Sequence, residues 1–452
     1  MWKHIRNLAI IFVLLGIGVF WYLSRPDVAQ LEESELIGVI SELPAARAQT
    51  IPTMEIAEAD RWTEKEKPVA AAGLKVEAFA SGLAHPRNIY VLPNGDVLVA
   101  ETNSPPRENS GIEGFVAKYL MDKAGAGVPS ANRITLLRDT DGDGTPELKS
   151  EFLTGLNSPF GMVLVGETLY VANTDAVLAF PYKDGDTKIA AKGEKIYALN
   201  AKKPNNHWTR NLVASADGKL LYIAVGSNSN IGENGMDTEK GRAMVIEYDI
   251  KEGAAKPLAV GLRNPVGLDF DSQGELWTVV NERDMLGSDL VPDYLAQVEW
   301  GADFGWPQHY WVGYVDDRVK PAPKKGDWQY IRRPDFALGA HGAPLGLAFA
   351  NSAQGTKASL GEAFASGAFI ARHGSWNRKP VSGYDVVFVK FSAKGKPVGK
   401  FDNVLTGFLD ADGKAQGRPT MLAIAKDGAL LVSDDVGNVI WRVTLAAAKV
   451  GS

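Results

Sequence analysis

NNHWTRNLVASADGKLLYIAVG, Asn205 to Gly226, decides the fold. Two strand-like runs flank an Asp217-Gly218 turn, the punctuation of a β-hairpin. His207 stands just ahead of the first strand, so its side chain belongs to the end of a sheet, where loops gather and sites are built.

Five further segments repeat this plan. They are Pro86 to Val91 with Gly95 to Ala100, Pro159 to Val163 with Glu167 to Ala172, and Pro265 to Phe270 with Gly274 to Val280. Pro344 to Phe349 with Gly367 to Ala371 and Pro419 to Ile424 with Gly428 to Ser433 complete the set. One hairpin leaves its apolar face open to water, whereas copies stacked radially cover one another, which is the logic of a β-propeller. The expectation is an all-β chain: six blades of four strands each over residues 73–447. A β-sandwich is the alternative, but one motif recurring at irregular spacing favours blades with inserted loops.

Composition agrees. Forty-seven glycines and 24 prolines in 452 residues suit many turns and short strands. A net charge of -6 argues against nucleic acid as the main partner. With no cysteine, disulfides, thiolate metal sites and a lipoprotein anchor are excluded. Lys3, His4 and Arg6 precede an uncharged apolar run, Leu8 to Leu23, and no small-x-small cleavage site follows closely. Residues 1–24 are therefore expected to be a transmembrane signal anchor or a signal peptide, with the anchor favoured. Residues 25–72 read as a linker, and the body is expected in the periplasm, tethered to the inner membrane by residues 8–23.

Equivalent loops of a propeller converge on one face around its axis. Those positions hold Asn206 and His207, Arg263 and Asn264, Glu282, Arg283 and Asp284, His341, Arg372, His373, Arg378 and Arg418. Guanidinium forks match carboxylates bidentately, so a ring of arginines and histidines points to an anionic ligand. For any one of these residues the alternative is a cation that satisfies blade carbonyls or a carboxylate.

Gly261-Leu262-Arg263-Asn264-Pro265-Val266-Gly267, followed by Asp303-Phe304-Gly305-Trp306-Pro307, resembles the soluble quinoprotein sugar dehydrogenases. Asn281 to Asp284, His341 to Leu347, His373 to Arg378 and Asp434 to Val439 are more similar to the sorbosone dehydrogenase branch. The resemblance implies a propeller that holds pyrroloquinoline quinone (PQQ) and Ca2+ on its axis and oxidises a sugar or sugar-derived aldehyde. It further implies His207 as general base and Arg263 as the cation beside the developing negative oxygen. Arg263, Asn264, His341, Arg372, His373, Arg378 and Arg418 become cofactor contacts, and Asn206 and Asn228 substrate contacts. The carbonyls of Glu282 and Arg283 would hold the calcium, a hard cation that takes oxygen ligands. A cytochrome c or a membrane quinone would accept the electrons. Asn206 stands where the family's glucose enzymes carry a carboxylate, and their quinone-binding lysine has no clear counterpart, which sets glucose aside as substrate.

Two further features stand apart. Asp139-Thr140-Asp141-Gly142-Asp143-Gly144 has the first half of a calcium loop, but its twelfth position is Ser150. The aromatic run Trp300, Phe304, Trp306, Tyr310, Trp311, Tyr314 is expected mainly to pack a long loop. A calcium-dependent lactonase or esterase and a non-enzymatic, membrane-anchored interaction propeller are the competing readings, since one architecture hosts many functions.

Overall fold

Why the repeated hairpins become blades is visible in the alternation along Leu220–Val225. Leu221, Ile223 and Val225 pack into one apolar cluster with Tyr170 and Val177 of the preceding blade. Ala224, facing the other way, joins the cluster of the following blade. The middle strands are covered on both faces by neighbouring blades and read as apolar nearly throughout, whereas outer strands such as Glu194–Ala198 and Ala254–Val260 are largely exposed. The computed structural model describes residues 2–106, 111–323 and 326–447.

Six antiparallel sheets result, each starting from an inner strand at the axis. Blade I runs Pro86–Val91, Val97–Glu101, Arg133–Arg138, Leu148–Leu153, and blade II Met162–Val165, Thr168–Ala172, Ala176–Pro181, Glu194–Ala198. Blade III is Arg210–Ala214, Leu220–Val225, Met244–Asp249, Ala254–Val260. Blade IV is Asn264–Phe270, Leu276–Asn281, Pro292–Gln297, Phe336–Ala340. Blade V is Pro344–Phe349, Gly367–Arg372, Asp385–Lys390, Asp402–Thr406. Blade VI takes Pro419–Ile424, Leu430–Asp434 and Val439–Leu445 from the C-terminal end, and its fourth strand, Leu74–Ala80, from the start of the propeller. That strand pairs Val76 with Val443 and Leu74 with Leu445 and so closes the ring.

The Pro-x-Gly starts of the inner strands have a steric cause. A Cβ on Gly161 would lie 2.5 Å from the Leu212 nitrogen, and one on Gly346 would lie 2.7 Å from the Thr420 oxygen, so neighbouring inner strands approach backbone to backbone. Proline costs no ladder bond at the first residue of a strand. Register shifts follow Pro86, Pro265, Pro344 and Pro419, so each of these inner strands starts with a local irregularity in its pairing.

Residues 25–72, read as a linker, form a strap along the rim of this face. The strap carries a short 3-10 helix, Glu33–Leu36, and adds Ile37–Gly38 to blade IV and Val69–Ala70 to blade V. Arg47 clamps it by bonding Asp27 (2.8 Å) and Asp289 (2.8 Å). Ahead of it, Trp2–Leu23 forms helix α1. Among the described residues no helix is long and apolar enough to cross a membrane, which corrects the expected transmembrane helix. The physical reason is length: the uncharged run of residues 8–23 falls short of the roughly 20 residues a bilayer core requires. A second helix, α2 (Gly111–Lys123), lies in the loop between the second and third strands of blade I.

Candidate functional site

At the end of the axis where the inner strands start, five blades contribute one apolar side chain each to a floor: Phe160, Trp208, Val266, Leu345 and Met421. In the first blade the same place is taken by Arg87, whose guanidinium lies 5.7 Å from the Trp208 ring centre. A void of about 670 Å³ opens at the other end of the axis, lined by Asn88, Asn211, Asp269 and Leu422 among others. None of the predicted histidines and arginines lines that void, so the site belongs to the face above the floor.

His207 and Arg263 meet there. Both the carbonyl and the hydroxyl of Ser227 contact His207 Nδ1 (2.8 and 2.9 Å), and the Ser227 N–H donates to the Arg263 carbonyl (2.6 Å). Because a carbonyl can only accept, Nδ1 carries the proton and Nε2 keeps its lone pair. Gly226 allows the close approach: a Cβ there would sit 2.2 Å from Asn264 Oδ1 and 2.7 Å from His207 Cβ. The His207 loop is held from behind by two buried arginines, Arg210 and Arg242, which both donate to the His207 carbonyl (2.8 and 2.6 Å). Burial first, and then the Arg263 guanidinium, hold the His207 pKa well below its usual value, so the ring is neutral at pH 7.

Asp284 organises the other half of this cluster. Its Oδ2 accepts from Arg263 Nη2 (2.8 Å), its Oδ1 accepts from Asn377 Nδ2 (2.7 Å), and His341 Nδ1 is 3.7 Å away. Burial opposes its charge, but Arg263 and His341 outweigh burial and leave the carboxyl strongly acidic. Asn230 Oδ1 accepts from both Arg263 and the Asp284 N–H (2.9 Å each). Behind Asp284, Arg318 donates to the carbonyls of Asp284 and Met285 (2.9 and 3.1 Å) and pairs with Asp316 (2.7 Å).

A second cluster gathers on Asp435. His373 Nε2 lies 3.0 Å from its carboxylate, Arg87 Nη1 2.5 Å and His85 Nε2 3.4 Å. Burial pushes both histidines down, His85 to about 4, while His373, His85 and Arg87 hold Asp435 ionised. Arg418 stands nearby with the Tyr384 hydroxyl as partner (3.1 Å).

The expected ring of open arginines is thus corrected: much of it is already paired with carboxylates. Arg372 does not face the axis. In its strand it shares the side of Ala368 and Ile370, which pack toward the fourth blade, and there it bonds Asp385 (2.7 Å) and Glu33 (2.6 Å). Arg283 is fully buried and donates to the carbonyls of Pro307 (2.6 Å) and His309 (2.5 Å), away from the mouth. Arg378 and Arg418 are buried and, among the described residues, have no carboxylate partner and an unpartnered Nε each. Asn228 is buried and donates to the Lys202 carbonyl (2.6 Å), while the Asn206 N–H donates to the Asn228 carbonyl (3.1 Å). Sequence reasoning missed the weight carried by Asp435, His85, Arg87 and Asn230; the sole signal was the Asp434-Asp435 pair at the end of a second strand.

The remaining motifs fall outside the mouth. In the Asp139 loop the converging carboxylates are Asp139, Asp141, Asp143 and Glu147, all within 4.8 Å of one another and mostly exposed; Glu147 is the fourth member, not Ser150. Of the aromatic run, Trp300 is exposed, Phe304 stacks on Tyr294, and Trp306 comes nearest the site by donating to the Asn230 carbonyl (2.9 Å).

Comparison with known proteins agrees with the fold. The pyrroloquinoline quinone-dependent pyranose dehydrogenase of Coprinopsis cinerea is 25% identical over 370 residues, covering 72% of this chain and 45% of the relative. The chain therefore spans less than half the length of that relative. Its PQQ domain, solved in holo form, superposes with a TM-score of 0.65 at 20% identity, over 86% of this chain and 100% of that one. An iodide structure of the Trichoderma reesei carbohydrate-active enzyme of family AA12 gives a TM-score of 0.67 at 20% identity, over 87% of this chain and 99% of that one. At such identities the structural likeness is one of fold. The family profile described as TrAA12-like matches residues 68–293 and 325–446, leaving out all but the last residues of the strap and the stretch that carries Arg318. With most of its propeller so matched, the chain belongs to the TrAA12-like family.

Proposed function

We propose that the chain is a quinoprotein oxidoreductase that uses PQQ and Ca2+ on the axis, above the apolar floor, to oxidise a sugar or a sugar-derived aldehyde. The observation that carries the reading is a neutral histidine with one nitrogen tied down and the other free, beside a buried arginine and asparagine.

The residues fit such a cofactor. Asn264 Oδ1 is buried without a partner, and the Nε atoms of Arg378 and Arg418 are buried donors in the same condition. Buried polar groups are costly when left unpaired, so the two donors suit an anionic ligand and the Asn264 oxygen suits a donor on the same ligand. Arg263, Asn264, His373, Arg378 and Arg418 would hold the quinone, and the carbonyls of Glu282 and Arg283 would hold the calcium. Bound there, PQQ supplies a two-electron acceptor for hydride.

The protein's own part is acid–base and electrostatic. His207 Nε2 takes the proton of the substrate hydroxyl or hydrate while Nδ1–H stays bonded to Ser227, which keeps the tautomer and ring orientation. Arg263, braced by Asp284 and Asn230, presents a desolvated positive charge where negative charge develops. Asn206 would contact substrate beside His207, while His341, set between Asp284 and the Gly287 carbonyl, would brace Asp284. The pyranose of the fungal relative and sorbosone, from the sequence resemblance, are the substrates to try first. Export, with α1 as a tether and a cytochrome c or membrane quinone as acceptor, completes the proposal.

Titration of the protein with PQQ and Ca2+ is expected to give a saturable spectral shift, and the loaded enzyme to reduce dyes with pyranoses or sugar aldehydes. His207→Ala is expected to lower turnover by about 10²–10⁴-fold, the range for a lost general base, with PQQ affinity nearly unchanged. Wild-type turnover in that variant overturns the assignment of the base, and failure to bind PQQ overturns the function.

A further inference from the structure

The strap and α1 have a geometric relation to the mouth that the redox reading does not use. Asp27, four residues beyond the end of α1, is fixed at the rim. Its carboxylate accepts two bonds from Arg47 (2.8 Å each) and one from the Ser288 N–H (2.6 Å). Next to it the Ala29 N–H donates to the Lys379 carbonyl (2.8 Å) and the Gln30 N–H to Asp289 (2.9 Å). These partners belong to the loops that carry Asp284 and Asn377. Four residues of extended chain reach about 14 Å at most, so α1 leaves the body beside the mouth.

On α1, Ile10, Ile11, Phe12, Val13, Leu14 and Leu15 are consecutive and each is at least 50% exposed. Six consecutive helical residues go around the helix more than once, at 3.6 per turn. The apolar surface is therefore not a stripe that a protein groove would cover; it calls for an apolar medium on every side. In the sequence Lys3 and Arg6 precede the run, and anionic headgroups complement such cations. The same face of the body exposes Val28, Met54 and Trp376 around the mouth. It also carries α2, with exposed Phe115 and Tyr119, whose last residue accepts a bond from the strap (Ala59 N–H to Lys123 carbonyl, 2.9 Å).

We infer that α1 embeds in an anionic lipid bilayer and that the strap holds the mouth of the axial site against that bilayer. This deepens the tether proposed above by giving it an orientation, and it does not depend on the redox chemistry. Burying the apolar length of α1 in lipid does not require the helix to cross.

The test uses the full chain, which has no cysteine of its own. Trp376→Cys, on the rim, and Asp217→Cys, on the hairpin tip at the opposite end, are each labelled with a fluorescent dye. The protein is then mixed with vesicles of phosphatidylcholine and phosphatidylglycerol that carry a headgroup-level quencher. The expected result is co-sedimentation with vesicles and at least several-fold stronger quenching at position 376 than at 217. Ile11→Glu combined with Leu14→Glu, both at exposed positions, is expected to abolish both effects. Absence of vesicle binding, equal quenching at the two positions, or self-association through α1 without lipid overturns the inference. No cofactor enters this readout, so its failure is distinguishable from a failure of the quinoprotein reading.

Discussion

Arg263 and His207 are coupled through charge as well as through Ser227. The guanidinium disfavours a second positive charge on the nearby ring, while Asp284 works the other way. Since the base must be neutral, a lowered pKa means that activity survives as pH falls until that pKa is reached. Arg263→Gln removes the cation and leaves Asp284 without its partner, so the His207 pKa should climb. The acid limb of kcat/KM is then expected to move to higher pH, on top of a drop in rate. A pH–rate profile with the limb unmoved would show that Arg263 does not act on the histidine. His207 and Arg263 were legible as a pair because each sits at the start of a repeated strand. Asp284, quoted in the same motif, was not legible as their organiser, since its three partners come from the segments around residues 263, 341 and 377.

Among the elements, the inner strands carry the tightest constraint. Gly346 lies with the Thr420 oxygen and the Met421 Cα where its own Cβ would be, 2.7 and 3.0 Å away. Gly346→Ala must push two backbone segments apart and is expected to cost about 1–3 kcal/mol, as overpacking does. The urea midpoint would fall with little change in slope; an unchanged midpoint would show that the strands separate freely. The strap and the loop from Val298 to Asp335 also act as elements, since both converge on the turn from Asp284 to Asp289. Arg318 donates to its carbonyls from one side, the Arg47 N–H donates to the Leu286 carbonyl (2.9 Å) from the other, and the Leu43 N–H reaches the Tyr314 hydroxyl (2.7 Å) between them. The strap's charged, proline-marked composition reads as linker because its partners are hundreds of residues away.

Across the whole molecule, ring closure buries groups that no single blade could bury. Asp269 projects toward the axis, where its carboxylate accepts from the Phe270 and Phe349 N–H groups (2.8 and 2.7 Å). Burial pushes it up to about 7, with neighbouring Asp271 adding to the rise against those two bonds. The folded pKa is raised, so its contribution to stability is full below the unfolded value of about 3.9 and is lost as pH rises through about 7. Asp269→Asn removes the titration. The melting temperature of the variant relative to wild type is therefore expected to rise from about pH 4 to about pH 7 and to level off above that. A pH-independent difference would show that the carboxylate is not desolvated by the closed ring.

Sequence alone determined the six repeats, their turn chemistry and the end of the blades at which His207, Arg263 and His341 gather, because these depend on local patterns of two to seven residues. Tertiary structure decided which cations are open to a ligand. Arg372 and Arg283 occupy positions equivalent to those at the mouth yet turn into blade packing and an inserted loop. Arg87 reaches the axis but spends its charge on Asp435, and His373, its pKa lowered by burial, bonds the same carboxylate. Side-chain direction at a strand end, and the carboxylate that happens to stand opposite, are set by how six separately patterned sheets meet; no local stretch of the chain contains that information.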